Sequence, residues 1–336
     1  MLNKIDRTSI VQKYKEGLVS YEKLGLNLTQ VLELLLIESE IPFLSINYRI
    51  KKSDSFIGKI EKKLYVDPFQ EIEDICGIRI ICYYQSDIDK ITNLIKKELL
   101  VLEDQNKGEQ LDFDKFGYRS RHFIVKIPQE WAQTPNYRNL ENLKSELQVR
   151  TVLMHAWAEI EHKLAYKSET QIPKEFRRKL SRISAKLEES DEQFEEIKSQ
   201  IENNKNQLVK AANESKKFDI DAEFNLDNLQ AFLDYSFPNR KKNLNETSEL
   251  FNEMIINKIS LKDLITGYNK SFTYLSEIED EDAKVYGQPG EPLWVQVGAA
   301  RTILELTNDN YFNNRPEYWE TNILSSIRDK IKIKKT

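Results

Sequence analysis

The sequence predicts an α+β or α/β domain, a mixed β-sheet flanked by helices, followed by a mainly helical C-terminal region. Three observations predict it. The stretch from Ser145 to Lys167, SELQVRTVLMHAWAEIEHKLAYK, starts with strand alternation, Glu146, Gln148 and Arg150 against Leu147 and Val149, and changes to helical spacing after Thr151. Residues 75–84, ICGIRIICYY, form a continuous β-branched and aromatic run, the pattern of a central strand covered on both sides. Beyond Pro173 the remaining segments are amphipathic with helical spacing.

The elements follow in order. Residues 8–38 place Leu24, Leu28, Val31, Leu32, Leu35 and Leu36 on one helical face, with a break expected at Gly25 and an end at Pro42. IPFLSINYRI, residues 41–50, reads as a strand, and KKSDSFIGKIEKK after it as a polar helix. The strand at 75–84 is followed by a helix from Asp87 to Leu99, with Ile88, Ile91, Leu94 and Ile95 inward, and a short strand, LLVLED. A polar connection leads to a strand over 116–128, where Tyr118, Ser120, His122 and Ile124 share one parity. Past Pro173 a helix reaches Val209, basic at first (Lys174, Arg177, Arg178, Lys179, Arg182, Lys186) and acidic afterwards, with Phe176, Leu180, Ile183, Leu187, Phe194 and Ile201 expected inward. A boundary is expected at 203–217, and amphipathic segments near 246–258, 260–277, 293–306 and 317–332 complete the chain.

Bulk properties narrow the function classes. A chain of 336 residues can bury a substantial core, as two domains or as one with a helical extension. With 31% charged residues and a mean hydropathy of −0.60 it reads as soluble, and its net charge of −5 argues against an overall electrostatic grip on nucleic acid. Cys76 and Cys82 share one predicted strand, cannot readily pair with each other, and point to a reducing compartment. No secretory apolar region follows Met1 and no run nears bilayer length, so a cytoplasmic location without a membrane partner is expected.

Several constellations carry chemistry. His155, Glu159 and His162 lie on one side of the helix after Thr151, with Ala156, Ile160 and Leu164 on an adjoining apolar side. A solvated face is the ordinary explanation, but two of the chain's three histidines fall here. Zinc fits poorly, because His155 and His162 are about 10 Å apart along a helix axis and zinc–ligand bonds are about 2 Å. Lys51, Ser55 and Lys59, four apart, form one stripe with Arg49 just ahead, an arrangement suited to a polyphosphate or, equally, to a solvated basic face. Asp74 at the mouth of the buried strand is a turn residue or a metal ligand, and Arg79 within the strand calls for an anion. The two have opposite parity, so serving one site requires a bulge near Gly77 or Asp74 outside the strand.

Four separated motifs now line up: Arg49-x-Lys51-x-x-x-Ser55-x-x-x-Lys59; Asp74-Ile-Cys-Gly77-Ile-Arg79; Gly117-Tyr118-Arg119-Ser120-x-His122; and Glu146-Leu-Gln148-Val-Arg150-Thr151 followed by HAWAEIEH from His155 to His162. Together they resemble the synthetase domain of the RelA/SpoT alarmone synthetase family over roughly residues 40–190. The resemblance implies a nucleotidyltransferase-like fold and transfer of pyrophosphate from ATP to the ribose 3′-hydroxyl of GDP or GTP. It implies that Asp74 and Glu146 hold Mg²⁺ and that Glu146 draws the acceptor proton. Arg49, Lys51, Ser55, Lys59 and Arg79 would bind ATP; Lys115, Tyr118, His122, Gln148, Arg150, His155 and Glu159 would take the acceptor, with Tyr118 stacking on guanine. All three histidines belong to synthetase motifs, so no metal hydrolase activity is expected. The expected organisation is a synthetase domain over 1–210 and a helical region of unknown role over 218–336, in a small alarmone synthetase-like chain that forms a homo-oligomer, as small relatives often do. Two rivals remain: a toxic relative that places pyrophosphate on the 3′ end of tRNA, with the C-terminal region restraining it, and a silent nucleotide-binding module.

Overall fold

In the computed structural model, residues 7–63, 65, 67–106, 120–164, 174–286, 294–314 and 322–333 are described. They form two compact units, Met1–Ile197 and Lys198–Thr336. The division falls inside a helix, Lys174–Ser215, upstream of the boundary expected at 203–217.

The first unit is a five-stranded mixed sheet with helices against it. Strands β1 (Phe43–Ile50), β2 (Cys76–Cys82), β3 (Leu100–Asn106), β4 (Arg121–Lys126) and β5 (Ser145–Thr151) are ordered β1-β2-β5-β4-β3. Only β2 and β5 run parallel; β1–β2, β4–β5 and β3–β4 are antiparallel. Side chains alternate across the pleat, so partners in register share a face. Ile78, Ile80, Cys82, Leu147, Val149, Phe123 and Val125 make one face, all fully or almost fully buried against helices α1 (Arg7–Glu38) and α4 (Gln85–Glu98). The other face carries Arg49, Gly77, Arg79, Glu146, Gln148, Arg150 and His122.

Helix α1 buries Tyr14, Tyr21, Leu24, Leu28, Leu32 and Leu36, a stripe at spacings of seven, three and four. It is continuous through Gly25, against the break expected there. Gly25 serves packing instead: a Cβ at this position would lie 2.9 Å from Cγ of Tyr48 on β1. Gly25→Ala is therefore expected to destabilise by about 1–2 kcal/mol, overpacking outweighing the helix-propensity gain of about 1 kcal/mol. In a Tyr48→Ala background the same change should stabilise, and a double-mutant cycle by denaturant unfolding checks it. The helix ends before Pro42, through Glu40 at φ 53° and an Ile41 N–H to Leu36 carbonyl bond of 2.9 Å, a left-handed cap that returns the chain into β1.

Helices α2 (Ser53–Lys62) and α3 (Pro68–Glu71) connect β1 to β2, and α5 (Val152–Leu164) follows β5 directly. Cys76 and Cys82 are both free and buried, and burial pushes the Cys76 thiol up to about 11. At the β3–β4 edge, Arg121 donates from Nε and Nη2 to the two carboxylate oxygens of Asp104, each at 2.9 Å, and Lys96 lies 2.7 Å away. The Arg121 hydrogen bonds outweigh burial and, with Lys96, hold the Asp104 carboxyl down to about 2. A depressed folded-state pKa contributes stability above the ordinary 3.8 and loses it as pH falls toward 2. Asp104→Asn should thus lower Tm at neutral pH and converge with the parent protein near pH 2, as thermal melts across that window would read.

Helix α5 packs through Met154 and Trp157, and the adjoining apolar side of Ala156, Ile160 and Leu164 is exposed. One helix turns differently from expectation. In α6 (Lys174–Ser215) Phe176, Ile183, Phe194 and Ile201 are exposed and Leu180 and Leu187 only half-buried, whereas Ser184 and Asp191 are buried. The inward strip is polar instead, with Asp191 accepting from the Thr151 hydroxyl and Glu195 from the Ser86 backbone N–H.

The second unit is helical: α7 (Leu226–Ser236), α8 (Leu244–Ile256), α9 (Leu261–Ser271), α10 (Leu275–Tyr286), α11 (Gln296–Thr307), α12 (Asp309–Asn313) and α13 (Asn322–Ile333). Helix α11 is its centre, with Val297, Ala300, Ile303 and Leu304 fully buried against Leu229, Phe232 and Leu264. Segment α7 was not anticipated, and the expected 260–277 segment is two helices separated by a short turn. No helix among the described residues is long and apolar enough to cross a membrane.

Candidate active site

The polar face of the sheet opens into a cleft of about 400 Å³. Asn47, Tyr48 and Arg49 of β1, Gly77, Ile78, Arg79 and Ile81 of β2, Gln148 of β5, and His155 and Glu159 of α5 line it. Gly77 keeps the floor low, its missing Cβ being 3.5 Å from Nε of Arg49. Asn47 and Tyr48 were not among the expected site residues, although Asn47 shares the parity of Arg49, which was the signal available.

Asp74 lies just ahead of β2, outside the strand, and β2 pairs in unbroken register around Gly77 with both neighbours, the one register shift falling between Phe43 and Ser45 at the other end of the β1–β2 pair. That placement resolves the parity conflict with Arg79. Lys51 donates to one carboxylate oxygen of Asp74 at 2.7 Å and Lys59 to the other at 2.9 Å. Burial alone would raise the Asp74 carboxyl, but the hydrogen bonds and charges of these lysines hold it below the ordinary carboxylate range. Ser55 lies exposed in the first turn of α2.

Glu146 sits opposite Gly77 on the neighbouring parallel strand. Its Oε1 accepts from Nδ1 of His122 at 2.9 Å and its Oε2 from Nε2 of Gln148 at 2.9 Å. The network extends outward: His122 Nε2 meets the Ser120 hydroxyl at 2.8 Å, and Arg150 donates to Oε1 of Gln148 at 2.8 Å. Burial would raise the Glu146 carboxyl, as does the nearby charge of Asp74, yet His122 and Gln148 prevail and keep it lowered. Both carboxyls are therefore ionised at neutral pH, and Glu146 feels the charge of Asp74.

Cations crowd the other side of the cleft. Arg79 donates to Glu159 at 2.7 Å and reaches Nδ1 of His155 at 3.4 Å. Since a guanidinium only donates, His155 accepts there and carries its proton on Nε2. Burial and the charge of Arg79 lower its pKa, which keeps the imidazole neutral at neutral pH. Burial and Arg79 together push the Arg150 guanidinium down to about 10, offset only in part by Glu146 and Glu159. Nε of Arg79 and Nε of Arg150 are buried without a hydrogen-bond partner among the described residues. Buried donors in this state cost about 1–3 kcal/mol each.

One fold unit thus brings together Asp74, Glu146, Lys51 and Lys59 around the carboxylates, and Arg49, Arg79, Gln148, His155 and Glu159 around the cleft, with His122 and Arg150 connected through Glu146 and Gln148. His162 is exposed on α5. Lys115, Tyr118, Gly117 and Arg119 lie outside the described residues.

Residues 48–171 match the family model described as the region found in RelA and SpoT proteins. Two Bacillus subtilis proteins are similar. GTP pyrophosphokinase YjbM is 32% identical over 152 residues, 43% of this chain and 67% of that one. GTP pyrophosphokinase YwaC is 32% identical over 148 residues, 42% and 66% respectively, so the chain spans about two thirds of the length of these relatives. The crystal structure of Bacillus subtilis small alarmone synthetase 1 superposes with a TM-score of 0.50 at 28% identity, over 57% of this chain and 98% of that one. A GTP pyrophosphokinase family protein from Streptococcus pneumoniae has the same fold, with a TM-score of 0.50 at 23% identity over 57% and 95%. With the family model matched over residues 48–171 and a relative 32% identical covered over 67% of its length, the chain belongs to the RelA/SpoT family.

Proposed function

We propose that the chain is a pyrophosphokinase, moving the β,γ-diphosphate of ATP to the ribose 3′-hydroxyl of GDP or GTP. The observation that carries this reading is the pair of ionised carboxylates, Asp74 and Glu146, one held by Lys51 and Lys59 and the other by His122 and Gln148, on the arginine-bearing polar face of the sheet. Arg49, Lys51, Ser55, Lys59 and Arg79 take the triphosphate; His122, Gln148, Arg150, His155 and Glu159, with Lys115 and Tyr118, take the acceptor. In the transfer, the acceptor 3′-oxygen forms a bond to the β-phosphorus while the bond from that phosphorus to the α–β bridging oxygen breaks, and AMP leaves with the electron pair. Glu146 receives the hydroxyl proton, its two oxygens oriented by His122 and Gln148. Arg49 and Arg79 balance the charge on the phosphoryl oxygens, and in-line placement of the two nucleotides supplies much of the rate.

The donor set suits Mg²⁺. Asp74 and Glu146 are hard oxygen donors that repel one another across the site, and Mg²⁺ is usually held by one or two carboxylates plus substrate phosphates. No cluster of three or more metal-ligating side chains occurs among the described residues, which argues against a protein cage of the zinc type. Bound there, Mg²⁺ would neutralise phosphate charge.

Arg178, Lys179, Arg182 and Lys186 are exposed on α6, which keeps the tRNA 3′ end as the second acceptor reading. Incubation of the full chain with Mg²⁺, β-labelled ATP and either GDP, GTP or deacylated tRNA decides between them. Label on the guanine nucleotide, stable in the absence of any other protein, supports the primary reading; label on tRNA alone replaces it; ATP binding without AMP release leaves a silent module. Self-association belongs to the same reading, through the exposed seam of Phe176, Ile183, Phe194 and Ile197. Ile183→Glu with Phe194→Glu should reduce the mass measured by light scattering to that of one chain, and a parent protein already of that mass would contradict it.

A further inference from the structure

Helix α6 docks on the sheet unit with polar side chains inward. Ser184 and Asp191, two turns apart, are 1% and 3% exposed, while the apolar seam faces out. One turn beyond, a carboxylate oxygen of Glu195 accepts from the Ser86 backbone N–H in the first turn of α4 at 3.0 Å. Asp191 makes the more consequential contact: its Oδ2 accepts from the Thr151 hydroxyl at 2.5 Å. The same hydroxyl accepts from the Met154 backbone N–H at 3.2 Å, so Thr151, the last residue of β5, also caps α5. A hydroxyl has one donor and two lone pairs. Donating to Asp191 turns a lone pair toward Met154, and a single rotamer meets both demands. One residue later comes His155, and one turn after that Glu159, both on Arg79.

We propose that Asp191 is a positioning residue for the active site: by fixing the Thr151 hydroxyl it sets the start of α5 and so the placement of His155 and Glu159 against Arg79. The docking of α6 is then part of the acceptor side and not merely a support for it. A buried carboxyl is costly unless hydrogen-bonded, and the Thr151 hydroxyl is one of the partners of Asp191. This inference rests on the assignment of His155 and Glu159 to the acceptor.

The test uses the full chain with Asp191→Ala, Asp191→Asn, Thr151→Val and Thr151→Ser. Loss of a helix cap costs about 1 kcal/mol, so Asp191→Ala and Thr151→Val should raise the KM for the guanine nucleotide by roughly fivefold to tenfold, with a smaller rise in the KM for ATP transmitted through Arg79 alone. Thr151→Ser, which keeps the hydroxyl, and Asp191→Asn, which keeps an acceptor oxygen, should remain near the parent. Hydrogen exchange gives a readout that does not need turnover. Amides of Met154 and His155 should exchange roughly fivefold to tenfold faster in Asp191→Ala and Thr151→Val, while those of β2 stay protected and show the sheet intact. Unchanged α5 exchange, equal effects on both substrates, or a Thr151→Ser protein as impaired as Thr151→Val would overturn the proposal. A parent protein that turns over no acceptor, yet shows the expected exchange pattern, would instead refute the assigned reaction and leave the positioning role of Asp191 standing.

Discussion

Glu146→Gln is expected to reduce pyrophosphate transfer by about 10³-fold, within the range of 10²–10⁴ that a positioned general base contributes. The amide nearly matches the carboxylate in shape, so β5 and its pairing with β2 are retained. What changes is charge and proton affinity. Glu146 accepts from both His122 and Gln148, and an amide offers a single acceptor oxygen, so one of the two donors loses its partner. The loss should fall on kcat, with the KM for ATP altered little, because the carboxylate acts on the attacking hydroxyl. Steady-state kinetics on a variant whose Tm stays within a few degrees of the parent separates this from unfolding; retention of more than a tenth of the parent kcat would remove Glu146 from the role of base.

Asp74→Asn should lower kcat/KM for ATP by about 10²–10³-fold, the size of effect seen when one preorganised electrostatic partner is removed. Here KM and kcat are expected to move together. Asp74 holds Lys51 at 2.7 Å and Lys59 at 2.9 Å on its two oxygens, and neutralising it frees both ammonium groups from the geometry that prepares them for the triphosphate. The same change removes one of the two oxygen donors suited to Mg²⁺, so the Mg²⁺ concentration giving half-maximal rate should rise. A variant with the parent's Mg²⁺ dependence and only its kcat lowered would place Asp74 away from the donor phosphates.

The sheet was legible because its chemistry alternates. In SELQVRT and CGIRIIC the two parities carry different duties, apolar packing against α1 and α4 on one side and charge on the other, and strand pairing converts that pattern into a single polar face. Asp74 shows where periodicity stops being informative: its parity conflicts with Arg79 on a straight strand, and only its place outside β2 reconciles them. Gly25 was misread as a break because a glycine inside a helix and a glycine admitting a neighbouring ring look alike until Tyr48 is in place. The outward seam of α6 was misread for a related reason. Apolar spacing identifies a stripe but not what covers it, and Thr151 and Ser86, far away in sequence, turn the polar strip inward. Helix α7, with Phe232 and Leu233 fully buried, escaped notice behind the polar stretch before it.

In the proposed reaction a diphosphate, and not a single phosphoryl group, leaves ATP in this cleft. Phosphorus NMR of the full chain with Mg²⁺, ATP and GDP or GTP reads that directly. The expected spectrum shows AMP appearing in step with a guanine nucleotide bearing a new diphosphate on its ribose. Appearance of ADP with a singly phosphorylated acceptor, or no consumption of ATP with any acceptor offered, would contradict it.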